Sequence, residues 1–207
     1  MKNILNYQTS EYDCGPTTLI NAFRYLFERE QLTPELLKTI SMYTLDAYNE
    51  KGESGKNGTS KMAMKFISSW LNQYGITKNF PVFSEFLEGE QVYIGQNSGI
   101  IGCLQQRGVV VARVWLEDVG HYVLINDVAG DVIEVFDPYY IENFPDNHEV
   151  SVVEGLPGKL NRRVKAELMN RKEPVSYAFG PVEIREAMLI YNTTTRKTEE
   201  NSIEYII

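Results

Sequence analysis

Apolar residues recur at intervals of three and four from Leu19 to Tyr74, then beyond Val109 gather into short β-branched runs separated by turn residues. The first pattern buries one stripe of a helix, and the second buries a strand. A chain that gathers helices first and strands second in meander order is an α+β protein. Its N-terminal helices are expected to pack on an edge or face of a C-terminal antiparallel sheet, with the working groove between the two halves. The 207 residues suffice for one domain of ordinary size, so 1–207 is read as a single globular unit.

Leu19, Ile20, Ala22, Phe23, Leu26 and Phe27, with Pro16 in a first turn, predict a helix over 14–29. Thr33, Pro34 and Glu35 are a start signal for a second helix that ends near Tyr48. Residues 49–58 carry three glycines and no large apolar group and read as a loop. Thr59 and Ser60 then cap a third helix, with Met62, Phe66, Ile67, Trp70, Leu71 and Tyr74 inward and Gly75 as the stop. A short helix is expected from Ser98 to Gln106, and strands over 109–115, 122–125 and 132–136, with turns at 118–120 and 129–131. Residues 143–159 have loop composition, 162–171 read as a polar helix, and 187–191 as a late strand.

Composition excludes several classes of function. Twenty basic residues against 28 acidic give a net charge of −8, whereas nucleic-acid binding needs a concentrated basic stripe. The one basic cluster, Lys159 to Lys172, is interrupted by Glu167 and reads as a solvated helix face. No apolar stretch approaches the roughly 20 residues of a membrane span. Glu11 and Asp13 interrupt the N-terminus before a secretory apolar region forms, so a cytoplasmic location is expected. Two cysteines 89 positions apart describe free thiols in a reducing compartment. With two histidines and no CxxC or HxxxH, neither a metal nor another cofactor is expected.

The remaining chemistry falls on four residues. Cys14 stands before Gly15 and Pro16 at the mouth of the first helix, where unpaired N–H groups and the helix dipole favour a thiolate. His121 follows Gly120 at the start of a strand, a rigid placement for a general base. Asp137 ends the next strand before Pro138, and an antiparallel neighbour's end lies beside a strand's start, so Asp137 can face and orient His121. Gln8, six residues ahead of Cys14, can share an oxyanion site with the Cys14 N–H. Cys103, in an apolar helical setting, reads as core, and His148 as an exposed loop residue. Tyr12, Tyr139 and Tyr140 flank the site in sequence and suit a groove for an extended peptide.

Gln8, then Asp13-Cys14-Gly15-Pro16, later Gly120-His121-Tyr122-Val123-Leu124 and Phe136-Asp137-Pro138, resemble the double-glycine, or bacteriocin-processing, cysteine peptidases of the papain-like clan. The resemblance covers about residues 5–140. It implies a papain-like fold, a thiol protease activity and a peptide or protein substrate, with Cys14 as nucleophile, His121 as base, Asp137 as its orienting carboxylate and Gln8 in the oxyanion hole. Cleavage after a double-glycine leader is what the family suggests. The best-known members continue into a membrane domain and an ATPase, which this sequence lacks, so a stand-alone member is expected, and residues 141–207, with their helix and final strand, are an extension the resemblance does not explain. Two alternatives stay open. One is an acyltransferase or amide-forming enzyme using the same pair, and the other is a non-catalytic peptide-binding domain.

Overall fold

The computed structural model describes residues 3–141 and 148–198. Helices α1 (Cys14–Leu26), α2 (Pro34–Thr44) and α3 (Lys61–Lys78) precede β1 (Val82–Glu88), α4 (Gly99–Gln105), β2 (Val109–Leu116), β3 (Val119–Ala129) and β4 (Val132–Phe136). The chain then adds β5 (Val150–Val152), β6 (Arg162–Lys165), the one-turn α5 (Ala166–Met169) and β7 (Glu186–Asn192). The seven strands form one sheet in the order β1-β7-β2-β3-β4-β6-β5, every neighbouring pair antiparallel. The expected α+β class is observed.

The sheet is covered on both faces. On one side, Leu19 and Phe23 of α1 and Ile67 and Leu71 of α3 pack on Val109, Val111, Leu124 and Ile190. On the other, Ile100 and Cys103 of α4 and Met169 of α5 pack on Val110, Ala112, Val123 and Leu189. Burial of both faces is why Val109 to Ala112 is an unbroken apolar run instead of an alternating one.

Helix starts follow their sequence signals better than helix stops. Thr33, Ser60 and Ser98 each accept a hydrogen bond from the backbone three residues on, as N-caps do. Helix α1 ends at Leu26, short of residue 29, because Phe27 turns extended and Arg29–Gln31 forms a separate 3₁₀ turn closed by Glu28 and Gln31. Helix α2 stops at Thr44, short of Tyr48, and Asp46 instead accepts from the Ser60 N–H at the start of α3. Helix α3 runs through Gly75 to Lys78 and stops at Asn79 in a left-handed conformation, φ 50°. Gly75 serves a different end: a Cβ there would lie 2.9 Å from the Val82 carbonyl, so its absence lets the chain fold back into β1. The inward stripe of α3 is Ala63, Met64, Ile67, Leu71 and Tyr74, while Met62 and Phe66 are exposed.

The polar helix expected over 162–171 is a strand, β6, followed by the single turn α5. Within β6, Arg162 and Val164 are buried and Arg163 is exposed, an alternation that a reading by charge alone misses. Arg162, read as part of a solvated face, is among the most buried charges of the chain. The loop expected over 143–159 contains β5; of that span, residues 143–147 lie outside the described residues. The late strand is β7, and it sits between β1 and β2, inside the sheet. The described residues after 141 thus contribute three strands, β5, β6 and β7, to the sheet.

Candidate active site

Helix α1 opens at Cys14, and its first helical bond runs from the Thr17 N–H to the Asp13 carbonyl. Pro16 carries no N–H, so Cys14 and Gly15 are left with the first-turn amides that have no intrahelical acceptor. Asp13 does not cap them. Its carboxylate accepts from the Thr9 and Ser10 N–H groups and the Ser10 hydroxyl, and these bonds hold it below the usual carboxylate range against the opposing effect of burial. Asp13 thereby fixes the loop that delivers the chain to Cys14. Gly15 lets α1 approach the segment before α3: a Cβ there would lie 2.7 Å from the Thr59 Cβ. One turn further on, the Thr18 hydroxyl donates to the Tyr122 carbonyl at 2.9 Å. Cys14 and Thr18 share a helix face, so this bond sets Cys14 beside the residue before Tyr122, which is His121.

Cys14 lies beside the His121 ring, near enough to favour a charge on it. On its other side the ring presents Nε2 to Asp137 Oδ1 at 2.7 Å, which leaves Nδ1 for the sulfur. His121 is 4% exposed and Asp137 fully buried, whereas Cys14 retains 8%. Burial works against a charge on His121, but the Asp137 carboxylate outweighs it and Cys14 adds to the effect, so the imidazole holds its proton well above the usual histidine range. Burial likewise pushes the Asp137 carboxyl up, and the neighbouring His121, Tyr177 and Tyr139 donors more than reverse it, leaving Asp137 below its ordinary value. An imidazolium between a carboxylate and a thiol is an arrangement suited to holding sulfur as thiolate.

Asp137 is itself clamped. It accepts from the Tyr139 N–H at 2.8 Å and from the Tyr177 hydroxyl at 2.7 Å. Asn161 exchanges two bonds with the Asp137 backbone, each 2.8 Å. Behind Tyr177, Arg162 Nε donates to the phenol oxygen at 3.2 Å. Asn161, Arg162 and Tyr177 were missed in the sequence reading. Nothing local in the sequence marks any of the three, since Arg162 and Arg163 are chemically alike and differ only in burial.

Cys14 opens onto a cleft of about 720 Å³. One wall is Tyr12 and the Gly58–Lys61 segment, the other Arg113, Trp115 and Gly120 at the β2–β3 turn, so the cleft lies between helical and sheet elements. Its lining includes Glu186, whose carboxyl accepts the Tyr122 hydroxyl and is raised by burial. Gln8 is tied by its backbone N–H to the Pro138 carbonyl, next to Asp137. Its side-chain amide donates to the Ser10 carbonyl at 2.7 Å, and its Oε1 is buried without a partner. The structure thus brings Cys14, His121 and Asp137 into one chain of contacts, with Gln8 alongside and its amide turned to Ser10. Tyr12 lines the cleft, Tyr139 meets His121 edge-on with ring centroids 6.2 Å apart, and Tyr140 packs on Tyr7.

Cys103 is fully buried, and burial pushes its thiol up to about 12, as expected of a core residue. His148 is exposed. Among the described residues no cluster of three or more His, Cys, Asp or Glu side chains is placed to hold a metal ion, and no helix is long and apolar enough to cross a membrane.

No family model matches the chain, and no curated protein matches it. Among solved structures it is similar to a double glycine motif protease from an AMS/PCAT transporter, determined in complex with the leader peptide. The two share 9% sequence identity over 95% of this chain and 94% of that one, with a TM-score of 0.42, a likeness too loose to assign residues or chemistry.

Proposed function

We propose that this protein is a cysteine peptidase in which Cys14 is the nucleophile, His121 the general acid–base and Asp137 the group that orients and charges the imidazole. The observation that carries the reading is a buried histidine bonded to a fully buried carboxylate, with Cys14 beside it lining a cleft. A structural histidine has no need of a fully buried carboxylate together with a neighbouring cysteine at the mouth of a helix.

In this reading the resting site is a pair of the charged His121 and the Cys14 thiolate, and the thiolate attacks a peptide carbonyl presented in the cleft. The developing oxyanion is met by the Cys14 N–H at the mouth of α1 and by Gln8, whose primary amide carries a second N–H beyond the one given to Ser10. His121 then protonates the departing amine and later takes a proton from the water that hydrolyses the thioester. Asp137 remains ionised throughout, in keeping with its lowered pKa. The motifs around Gln8, Cys14, His121 and Asp137 favour a peptide substrate with a double-glycine leader, held extended along Tyr12, Trp115 and Gly120.

The test is site-resolved alkylation by iodoacetamide against pH, for the native protein and His121→Ala. Cys14 is expected to react well below pH 7, with that acid limb lost in the variant, while Cys103 stays unlabelled. Cys14→Ala is expected to abolish cleavage of a double-glycine leader peptide and leave the melting temperature near that of the native protein. Cleavage retained by Cys14→Ala, or an ordinary thiol profile near pH 8.5, overturns the reading. Product shifting from acid to amide in added amine would identify a transferase.

A further inference from the structure

We infer that Tyr177 is a positioning residue of this site, a fourth member that holds Asp137 ionised and aimed at His121 from the opposite side of the sheet. The inference rests on the peptidase reading above, since it concerns how that reading's carboxylate is held.

Three independent observations support it. The first is geometric: the Tyr177 hydroxyl donates to Asp137 Oδ2 at 2.7 Å while His121 Nε2 and the Tyr139 N–H take Oδ1, so the two carboxylate oxygens are divided between the ring and the phenol. A carboxylate pinned at both oxygens cannot rotate about its terminal bond, and the direction in which Oδ1 faces the imidazole is fixed.

The second is the backbone. Tyr177 has φ +69°, a left-handed conformation that is unusual for an aromatic residue and that persists only where its surroundings impose it. Two backbone bonds impose it: the Tyr177 N–H donates to the Trp115 carbonyl at 2.7 Å, and the Trp115 N–H donates to the Ala178 carbonyl at 2.8 Å. Ser176 forms a parallel bridge with Trp115, at the end of β2 that pairs with the Gly120–His121 end of β3. A turn in this conformation is thus bonded to the strand beside His121, and it brings the Tyr177 hydroxyl to Asp137.

The third is burial and charge. Tyr177 is fully buried in the core on the α4 side of the sheet, opposite the core to which Cys14 belongs. Arg162 from β6 donates to its oxygen from behind, which polarises the phenol O–H toward Asp137. The titratable and charged groups around the carboxylate include His121 from β3, Tyr139 from the segment after β4, Tyr177 from the segment after α5 and Arg162 from β6, with Cys14 from α1 beside His121 and Tyr7 bonded to Asn161. Tyr177 keeps its own proton, since burial and the adjacent carboxylate both hold the phenol well above its ordinary range. It acts as a neutral donor.

The consequence has a sign. Without the phenol, Asp137 protonates at a higher pH, the imidazolium loses its counter-charge there, and the pH at which the Cys14 thiolate forms rises. The experiment is the iodoacetamide pH profile of Cys14 in the full chain, comparing wild type with Tyr177→Phe. The acid limb is expected to move up by about one pH unit, the worth of a hydrogen bond to a charged group, with the plateau rate retained. The shift is expected to vanish when Tyr177→Phe is made in an Asp137→Asn background. Site-specific replacement of Tyr177 by 3-fluorotyrosine, a nearly isosteric and stronger donor, is expected to move the limb down, and it decides the question if Tyr177→Phe does not fold. An unmoved limb in these variants, or an equal shift in the Asp137→Asn background, overturns the role of Tyr177 and leaves the peptidase reading intact. A wild-type profile with no acid limb dependent on His121 overturns both, and it is read without any Tyr177 variant.

Discussion

Replacing Asp137 by alanine and by asparagine separates two things the carboxylate does. Its oxygens accept from His121 Nε2 at 2.7 Å, Tyr177 at 2.7 Å and the Tyr139 N–H at 2.8 Å, all in a site closed to solvent. Alanine orphans three donors, each worth about 1–3 kcal/mol when left unpaired in the interior. Breaking a buried pair from one side costs ~3–5 kcal/mol in total. For a chain of this size each kcal/mol moves the melting temperature by roughly 2–4 °C, so Asp137→Ala is expected to melt roughly 6–20 °C below wild type. Asparagine keeps an oxygen for His121 and Tyr139 and sets its amide opposite the Tyr177 oxygen, which can accept it, so most of that loss is expected to return, to within about 2 kcal/mol of wild type. Thiol reactivity is not expected to return with it, because a neutral amide gives the imidazolium no counter-charge. Alkylation of Cys14 at pH 6 is expected to fall at least about tenfold, the equivalent of one pKa unit on His121. Thermal melts and the site-resolved alkylation rate on the same samples check both halves. An alanine variant within about 1 kcal/mol of wild type would refute the satisfaction argument, and an asparagine variant with wild-type reactivity would refute the electrostatic one.

Two further outcomes are expected. Gly15→Ala, which drives a Cβ to 2.7 Å from Thr59, is expected to destabilise by ~1–3 kcal/mol in chemical denaturation, whereas Gly102→Ala in α4, with nothing within 4 Å of the new atom, is expected to stabilise by up to ~1 kcal/mol; equal effects would discount the close approach of α1 to Thr59. Stability against pH is expected to be greatest between roughly pH 4 and 6.5. His121 is raised in the fold, so its contribution is complete below its unfolded value and is lost as pH climbs through the folded one; Asp137 is lowered, so its contribution is present above its unfolded value and is lost as pH falls. Denaturant midpoints for wild type and His121→Ala read this directly: the decline on the alkaline side is expected to flatten in the variant.

Helix starts, the β2–β3–β4 meander and the meeting of His121 with Asp137 were legible because each depends on neighbours in sequence: a cap, a turn, an antiparallel return. The thiol's approach to His121 was legible only as an expectation, since it depends on Thr18 finding the Tyr122 carbonyl across 104 positions. What sequence reasoning lost was whatever the second half of the chain contributes at long range. Arg162-Arg163 reads as surface because two adjacent charges usually are; here the strand sends one into the core to meet Tyr177 and the other to solvent. Met62 and Phe66 were assigned inward because they are apolar, but the loop that sets the entry of α3 rotates its buried stripe onto Ala63, Met64 and Ile67. Gln8 was expected to aim its amide at the Cys14 N–H; its backbone bonds Pro138 and its amide is turned to a carbonyl two residues away.

The position of β7 bears on how the protein is made. β1 and β2 are not partners; each pairs with β7, which emerges about 70 positions after β2. Until Glu186–Asn192 has left the ribosome, two apolar strand edges stay open, and the pairing that closes them joins distant parts of the chain, the kind of contact that folds slowly and exposes sticky intermediates. The turn that carries Tyr177 arrives in the same late stretch, just ahead of β7. A nascent chain therefore has Cys14, His121 and Asp137 long before it has Tyr177, the hydroxyl that pins the carboxylate, and the site is complete only once the sheet is sealed.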